Sequence, residues 1–504
     1  MKTNRILGVL AASVLGLTTL VGCGQEVDTG HKIVVWTTFN TTYEAVIQKA
    51  INNFQSKYPE YKISYSKQNT GYDGLKDMVI KGVSSGDYPD LVVAYPDSVA
   101  DFIMTGKSLN IEPLMRDEEI GWTDEDFDDI PEAYIEEGSN YVIPGVYSLP
   151  CTKSTEAMYY NRDILIDLDL SSIDDEINNG APLTDEYIQS LTWDELFDKL
   201  CPAIMEYNDA LPEEQKILKP AADYQETWAL VGYDSDDNLF ITLAEQYGLP
   251  YTSINEATGN GSVDYVVKND GAFAGVSDEY FNLVKKFTEA YQKKYFTTKG
   301  VIGKNVNYVS TTGGMLFSIG STGGVGYQFS DTTKVDVGVA PIPQASSRVA
   351  DRKIISQGPS VAFMKRGATQ EIIDTRAKGT WLFYKEWMEK DINIEWAMTT
   401  GYAPIRNSVA TSPAFLTYAD ETTQELHTLG RLTARNATYV AQNIDHLFSS
   451  PVFTGSSKAR QSVSGIFADI FKNSAKLDLT TADGLVAFRG VVEKYFQQGY
   501  NAAI

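Results

Sequence analysis

The sequence predicts an α/β protein divided between two lobes, and three observations lead to this fold class. After a leader segment about 480 residues remain, which is more than one hydrophobic core usually holds. The first hundred residues alternate apolar strands with helices, an order typical of a parallel sheet with right-handed crossovers. The segment Gly145 to Asp163 has the features of a passage between two bodies, because Pro150 interrupts regular strand structure just before an apolar and aromatic run at 158–160.

The predicted strands span 32–38, 61–68 and 91–95, and the helices between them span 43–57 and 74–83. In an open parallel sheet, ligands gather beyond the carboxyl ends of the strands. These ends carry Trp36, then Tyr72, then Tyr95 with Asp97. Aromatic faces stack on the CH-rich faces of sugar rings, while short polar groups pair with hydroxyls. One such aromatic residue fits ordinary core packing, but three at consecutive strand ends favour a carbohydrate site.

Residues 1–22 have the features of a bacterial lipoprotein signal peptide. Lys2 and Arg5 precede an uncharged apolar run, and Gly22 stands directly before Cys23. A transmembrane helix needs about 20 apolar residues, and this run is shorter. Cleavage before Cys23 and lipidation of its sulfur would tether the mature protein to the outer face of a bacterial membrane, with residues 23–30 as a flexible stem. A plain signal peptide with an incidental cysteine is the alternative.

The charge of the chain limits its partners. The formal net charge is −25, and loss of Lys2 and Arg5 with the leader takes it to −27. Such a surface repels nucleic acid and anionic lipid, so neither is an expected partner. After Cys23 only Cys151 and Cys201 remain, and the sequence leaves open whether they form a disulfide or two free thiols.

The sequence indicates no cofactor and no metal site. It contains no zinc or Cys-His spacing, and its three histidines are scattered. The segment Asp234 to Glu245 approaches a calcium loop, but Leu239 occupies the sixth position, where the sharp turn needs glycine. We therefore interpret Asp234 or Asp236 as the cap of a helix that begins near Asn238.

Four segments, taken in order, resemble extracellular solute-binding proteins of ABC importers, the group that carries sugars and glycerol phosphates. They are Ile33 to Trp36, the passage Leu149 to Asp163, Gly313 to Ser321, and Thr400 to Arg406. The resemblance covers nearly all of the chain after about residue 31. It implies a two-lobed periplasmic-binding-protein, or Venus-flytrap, fold with three inter-lobe crossings near 149, 351 and 409. Lobe I would comprise 31–149 plus 352–409, and lobe II would comprise 150–351 plus 410–504.

The resemblance also implies ligand positions. Tyr72, Asp97, Ser154 and Ser321 match those of the glycerol-phosphate-binding subgroup. The full set of candidate ligand-binding residues is Trp36, Tyr72, Tyr95, Asp97, Ser154, Trp228, Ser321, Gln357, Tyr402 and Arg406. Trp228 is the choice for the aromatic platform of the second lobe, with Tyr327 behind it; both also fit core packing. Arg406 either binds an acidic ligand or pairs with a carboxylate.

The expected function is capture and delivery of a small-molecule solute to an ABC permease by a monomeric, lipid-anchored protein, without catalysis. A carbohydrate is the expected solute. Glycerol 3-phosphate or a glycerophosphodiester is the alternative, supported by Ser154, Ser321 and Arg406 but opposed by the lack of a clear cationic cluster. A secreted glycoside hydrolase is a remote alternative, because no pair of acids stands in a recognisable catalytic context. A surface adhesin is another.

Overall fold

The computed structural model describes residues 28–255, 258–304, 309, 315–332 and 334–504. The predicted signal peptide, the lipid-anchor residue Cys23 and the first part of the stem lie outside the described residues. Among the residues that are described, no helix is long and apolar enough to cross a membrane.

The end of the predicted stem is held against the first lobe. The Asp28 carboxylate accepts two hydrogen bonds from Nη2 of Arg376, at 2.7 and 2.9 Å, and one from the backbone N–H of Gly30 at 3.0 Å. A charge-assisted pair of this kind attaches residues 28–30 to the first lobe. The flexibility of the stem as a whole stays a prediction.

The first sheet has five strands and confirms the predicted parallel start. In spatial order its strands are Lys62–Lys67, Lys32–Thr37, Leu91–Ala94, Ser360–Phe363 and Ser148–Pro150. The first three run parallel, as the strand–helix alternation requires. The strand Ser360–Phe363 runs antiparallel between Leu91–Ala94 and Ser148–Pro150. A late segment of the chain therefore completes a sheet that the first hundred residues begin.

The second sheet has seven strands and is organised around Ser154–Asn161, whose eight residues are all buried. Its other members are Phe296–Thr298, Val231–Tyr233, Phe317–Ser321, Val337–Ala340, Ile354–Gln357 and Leu447–Phe448. Two small hairpins lie outside it, formed by Thr252–Ile254 with Gly261–Val263 and by Val267–Asn269 with Ala272–Gly275. The passage motif predicts a strand after Pro150, and this strand, with its large side chains at 158–160, lies inside the second sheet.

Helices cover both sheets. Those packed with the first sheet are Thr41–Lys57, Tyr72–Ser85, Pro96–Met104, Glu112–Met115, Asp124–Asp129, Glu132–Glu137, Gln370–Trp387 and Lys390–Thr400. The longer helices of the remaining chain are Cys201–Ala210, Asp236–Gln246, Asp278–Gln292, Leu429–Gln442, Ser456–Val463, Ile466–Ser474 and Ala482–Ala503. Shorter ones are Arg162–Leu165, Asp185–Gln189, Trp193–Glu195, Lys299–Ile302, Asn407–Ala410 and Pro413–Ala419.

The helix Asp236–Gln246 begins two residues earlier than the sequence predicts, with Ser235 as its N-cap. The Asp236 carboxylate accepts hydrogen bonds from Oγ1 of Thr298 at 2.6 Å and from the backbone N–H of Gly300 at 2.8 Å. Asp236 therefore ties its own helix to the start of the helix Lys299–Ile302. The prediction that Asp234 or Asp236 caps a helix starting at Asn238 is wrong.

Two adjacent passages connect the sheets. The chain leaves the first sheet after Pro150 and enters the second at Ser154, and it returns between Gln357 and Ser360. The second passage lies at Gly358 and Pro359 and not near 351, because Ile354–Gln357 pairs with the second sheet. Gly358 has φ +102°, and a Cβ there would lie 2.5 Å from the Thr152 carbonyl oxygen, so the close approach of the two passages requires glycine.

The third passage follows Ile405, which packs in the core of the first sheet, and leads to the helix Leu429–Gln442 on the second sheet. The segment also touches the first passage, since Lys153 and Ala403 form an antiparallel bridge. Each sheet has its own large apolar core, and a smaller cluster covers the other face of the second sheet. The fold is a mixed α/β fold with two lobes, as the sequence predicts.

Candidate functional site

A cleft of about 480 Å³ lies between the two lobes, a size within the usual range for small-molecule sites. Its first-lobe wall contains the starts of the two helices that follow strands Lys62–Lys67 and Leu91–Ala94. Its second-lobe wall contains the start of the helix Asp236–Gln246, the strand Ile354–Gln357 and one face of the helix Ser456–Val463. The cleft is therefore at the carboxyl ends of parallel strands, where an open α/β sheet binds its ligands.

Tyrosines supply the aromatic surface of the cleft. The rings of Tyr72 and Tyr95 meet edge to face, with centroids 4.7 Å apart and an interplanar angle of 65°. Tyr251 lines the cleft from the second lobe. Burial raises the pKa of Tyr95 to about 12, so its hydroxyl is neutral and able to donate at physiological pH.

Arg460 is the centre of a charged network in the cleft. Its Nη1 donates to Oδ1 of Asn238 at 2.7 Å and to Oδ2 of Asp237 at 3.0 Å, and its Nε lies 3.5 Å from Oδ2 of Asp97. Burial opposes the charge of Asp237, but the guanidinium and a hydrogen bond from Ser235 together lower its pKa. The pKa of Asp97 is raised, because burial outweighs the attraction of Arg460.

Three contacts join the lobes at the cleft. The first is the ion pair of Asp97 with Arg460. In the second, Nζ of Lys76 donates to Oγ of Ser457 at 2.7 Å. In the third, the backbone N–H of Gly455 donates to the Asp101 carboxylate at 3.4 Å. All three involve residues 455–460 of the second lobe, so this segment closes against the first lobe in the structure.

A buried acid lies beneath the second-lobe wall. Glu156 is fully buried and accepts hydrogen bonds from the Tyr233 hydroxyl and, at 3.1 Å, from Nδ2 of Asn238. Burial raises the pKa of Glu156 to about 8, although these two hydrogen bonds oppose the rise. The Asn238 amide therefore links this acid to Arg460, since its Oδ1 accepts from the guanidinium.

Four predicted site residues line the cleft: Tyr72, Tyr95, Asp97 and Gln357. Among the described residues, Nε2 of Gln357 has no acceptor although it is buried, so this amide is available to a bound ligand. Ser154 lies opposite Gln357 in the sheet, and Oγ of Ser321 lies 3.4 Å from Oγ of Ser154. The structure therefore brings the two predicted serines together next to the cleft but not into its lining.

Two predicted tryptophans lie in cores instead. Trp36 packs in the core of the first sheet, and Trp228 packs in the core of the second lobe. Trp228 is only 6 % exposed, so it cannot present a ring face to a sugar, and its assignment as the platform is wrong. Tyr327, the second choice, is 71 % exposed and is not part of the described cleft lining.

Arg406 pairs with carboxylates, which is the second of its two predicted roles, and its inclusion among the ligand-binding residues is wrong. Its Nη1 lies 3.1 Å from Oδ2 of Asp129 and 3.0 Å from Oδ1 of Asp126, and its Nε donates to the Met388 carbonyl at 2.7 Å. Arg406 is buried, so these acids of the first lobe hold it away from the cleft. The acid-rich segment that includes Asp129 is thus partly internal and not wholly a solvated surface.

Tyr402 lies beside the tyrosines of the cleft but outside the described lining. Its ring is 6.2 Å from that of Tyr43, and it covers Gly323, where a Cβ would lie 2.5 Å from the ring. Burial raises the pKa of Tyr402 well above its ordinary value.

Cys151 and Cys201 are both buried free thiols, which decides between the two alternatives left open by the sequence.

Sequence reasoning missed several lining residues, above all Asp73, Asp237, Asn238, Tyr251 and Arg460. Asp237 and Asn238 follow the parallel strand Val231–Tyr233, so the strand-end argument used for the first lobe would have found them. Arg460 gives no such signal, because it lies in a helix far along the chain from its partner Asp97.

A cleft between two α/β lobes, lined by aromatic and polar side chains from both, defines a two-lobed binding protein. Residues 49–423 match the family described as bacterial extracellular solute-binding protein. The chain belongs to this family. A search of curated proteins finds no match.

Solved structures of several binding proteins share the fold. UgpB from Mycobacterium tuberculosis, in complex with glycerophosphocholine, is 15 % identical with a TM-score of 0.62, covering 92 % of this chain and 97 % of that one. Maltose-bound MalE3 of T. maritima is 14 % identical with a TM-score of 0.60, covering 92 % and 99 %. The GacH receptor of Streptomyces glaucescens, solved unliganded and with acarbose, is 13 % identical with a TM-score of 0.59, covering 93 % and 96 %.

Proposed function

We propose that this chain is the lipid-anchored solute-binding component of an ABC importer, and that it captures a carbohydrate in the inter-lobe cleft and delivers it to the permease. The observation that carries the proposal is the cleft itself, in which the Tyr72–Tyr95 ring pair faces hydrogen-bonding groups of the second lobe. Sugar rings need this combination of aromatic face and paired donors and acceptors. Membership of the extracellular solute-binding family supports binding and not catalysis.

The arrangement of the lobes suggests how capture is signalled. An ion pair and two hydrogen bonds join the described residues of the two lobes at the cleft, and the passages between the lobes restrict relative motion to a hinge. A ligand that contacts both walls binds the closed form better and shifts the equilibrium toward it. We infer that the permease recognises this closed form. Anchoring through Cys23 would keep the protein, as a monomer, at the outer face of the membrane.

Glycerol 3-phosphate and glycerophosphodiesters are the second candidate, since one neighbour in fold was solved with glycerophosphocholine. The charges of the cleft oppose a phosphate anion. Arg460 is the one cationic side chain among the described lining residues, and it already contacts two carboxylates. Arg406, which supported this candidate in the sequence, is bound to Asp129 and Asp126.

The test is thermal unfolding of the mature protein, without residues 1–22, against mono- and oligosaccharides, glycerol 3-phosphate and glycerophosphodiesters. A ligand at 100 times its dissociation constant adds about 2.7 kcal/mol to the free energy of unfolding. We expect a saccharide to raise the unfolding temperature. Tyr72→Ala or Tyr95→Ala should weaken the affinity for that saccharide about tenfold. Tyr327→Ala is the matched control, since this tyrosine lies outside the described lining. A shift with phosphates alone would refute the carbohydrate assignment.

A further inference from the structure

The cleft carries more negative than positive charge. Its described lining contains four carboxylates, on Asp73, Asp97, Glu137 and Asp237, and one cationic side chain, Arg460. Glu137 is neutralised from behind by the buried Lys153, which forms an ion pair with it. Four carboxylates against these two cations leave an excess of two negative charges, and Lys76 at the edge of the cleft is balanced by Asp101 beside it. A bound solute with positive charge would balance them, and an anionic solute would add to them.

The guanidinium of Arg460 is already engaged by three residues of the cleft. It lies 3.5 Å from Asp97 and 3.0 Å from Asp237, and it also donates to Asn238. Burial raises the pKa of Asp97 and the neighbouring Asp73 adds to the rise, whereas Arg460 and Lys76 oppose it. Asp73 is exposed and has no ion-pair partner among the described residues. The carboxylates of the first-lobe wall are therefore available to a bound cation.

The aromatic residues are placed on the same wall. Tyr72 is next to Asp73 in the chain, and Tyr95 precedes Asp97 by two residues. Their ring centroids are 4.7 Å apart. Tyrosine faces attract ammonium groups through the ring quadrupole, and the attraction increases when the cation is shielded from water. Ring faces and carboxylates together form a site of the kind that binds ammonium groups.

Resting on the proposed function, we propose that the solute captured in this cleft carries an ammonium group, which lies against the Tyr72–Tyr95 pair and the carboxylates of Asp73 and Asp97. For a carbohydrate, this chemistry describes an amino sugar with a free amine. A quaternary ammonium group on a non-sugar solute offers the same charge to the same residues, and the experiment separates the two sources.

The test is titration calorimetry of the mature protein at pH 6 with matched solutes. D-Glucosamine is compared with D-glucose and N-acetyl-D-glucosamine, and the β-1,4 disaccharide of glucosamine with that of N-acetylglucosamine. Choline, glycerophosphocholine and glycerol 3-phosphate complete the panel. We expect the free amine to bind about tenfold more tightly than the matched neutral sugar. Binding of choline compounds without amino sugars would assign the site to a quaternary ammonium and would refute the carbohydrate assignment of the proposed function.

Substitution of single carboxylates tests which residues contact the ammonium group. We expect Asp73→Asn to weaken binding of the ammonium solute about fivefold more than it weakens binding of the matched neutral sugar, with added salt reducing the difference. Asp87→Asn is the control, because Asp87 is an exposed acid of the same lobe outside the described lining. Equal or tighter binding of the neutral sugar, or preference for glycerol 3-phosphate, would overturn the inference while capture of a small solute stands. Absence of binding by every solute would overturn the proposed function as well.

Discussion

Breaking the ion pair between Asp97 and Arg460 should shift the protein toward an open form. Of the three Arg460 contacts, those to Asp237 and Asn238 stay within the second lobe, and only the 3.5 Å contact to Asp97 depends on closure. Two unit charges at this distance attract by roughly 5 kcal/mol at an effective dielectric constant of about 20. Desolvation, side-chain ordering and screening reduce the net value of a partly exposed pair to about 1 kcal/mol.

A loss of about 1 kcal/mol lowers the ratio of closed to open molecules about fivefold. The assay is the distance between two fluorophores, one on each lobe, in the ligand-free protein, with small-angle scattering as a second measure. We expect Asp97→Asn to lengthen the distance, and Arg460→Gln to lengthen it more, because removal of the guanidinium leaves Asp97 and Asp237 to repel each other. High salt should produce the same change in the wild type, have little effect on Asp97→Asn, and partly reverse the lengthening in Arg460→Gln by screening the repulsion.

Lys458→Gln is the matched control on the same helix, because Nζ of Lys458 bonds only the Ile504 carbonyl among the described residues. A double variant, Asp97→Asn with Arg460→Gln, measures the coupling between the two side chains. If the inter-lobe distance stays the same in Asp97→Asn, or if the effects of the two substitutions simply add, then the pair does not hold the lobes together and the reasoning is refuted.

Three further results are expected. Glu156 has a folded-state pKa of about 8, above its ordinary value of 4.5, so its contribution to the free energy of unfolding is complete below about pH 4.5 and is lost as the pH rises through 8. Chemical denaturation of Glu156→Gln across this pH range should show a decline in stability that is smaller by on the order of 4 kcal/mol. An unchanged pH profile would contradict the assignment. Arg406→Leu leaves the buried Asp129 carboxylate with hydrogen bonds from Ser408 but without its guanidinium partner, and should cost about 3 kcal/mol in denaturant melts while ligand affinity measured below the transition is kept. A selective loss of affinity would restore Arg406 to the binding site. Burial raises the pKa of both the Cys151 and Cys201 thiols, so a maleimide should label them only after unfolding, and rapid labelling of the native protein would show that they are accessible.

The sequence predicts the elements of the first lobe well because their signals are local. Alternating strands and helices determine a parallel sheet, and a parallel sheet determines the edge at which Tyr72, Tyr95 and Asp97 meet. The same logic places a polar residue at the end of each strand without knowledge of the rest of the chain. These residues were therefore accessible to prediction, although their role in binding stays a prediction.

The errors concern contacts between distant parts of the chain. The sequence offers Trp228 as the aromatic platform of the second lobe, but nothing local distinguishes a ring that faces a cleft from one that fills a core. The sequence around Arg406 gives no sign of its partner Asp129, which contacts it in the fold but lies 277 residues earlier in the chain. Arg460 meets Asp97 only when the second lobe closes on the first, which no periodicity or spacing records.

The position of the strand Ser360–Phe363 has a consequence for the order in which the protein can fold. This strand lies between Leu91–Ala94 and Ser148–Pro150. Until residue 363 has emerged, Leu91–Ala94 is therefore unpaired on one side and the edge strand Ser148–Pro150 has no partner in the sheet. A nascent chain folds from its N-terminus only as far as its contacts permit, and here the first sheet has to wait for more than two hundred later residues. In a family whose members act outside the cell, this delay keeps the first lobe from forming a finished sheet while the later part of the chain is still being made.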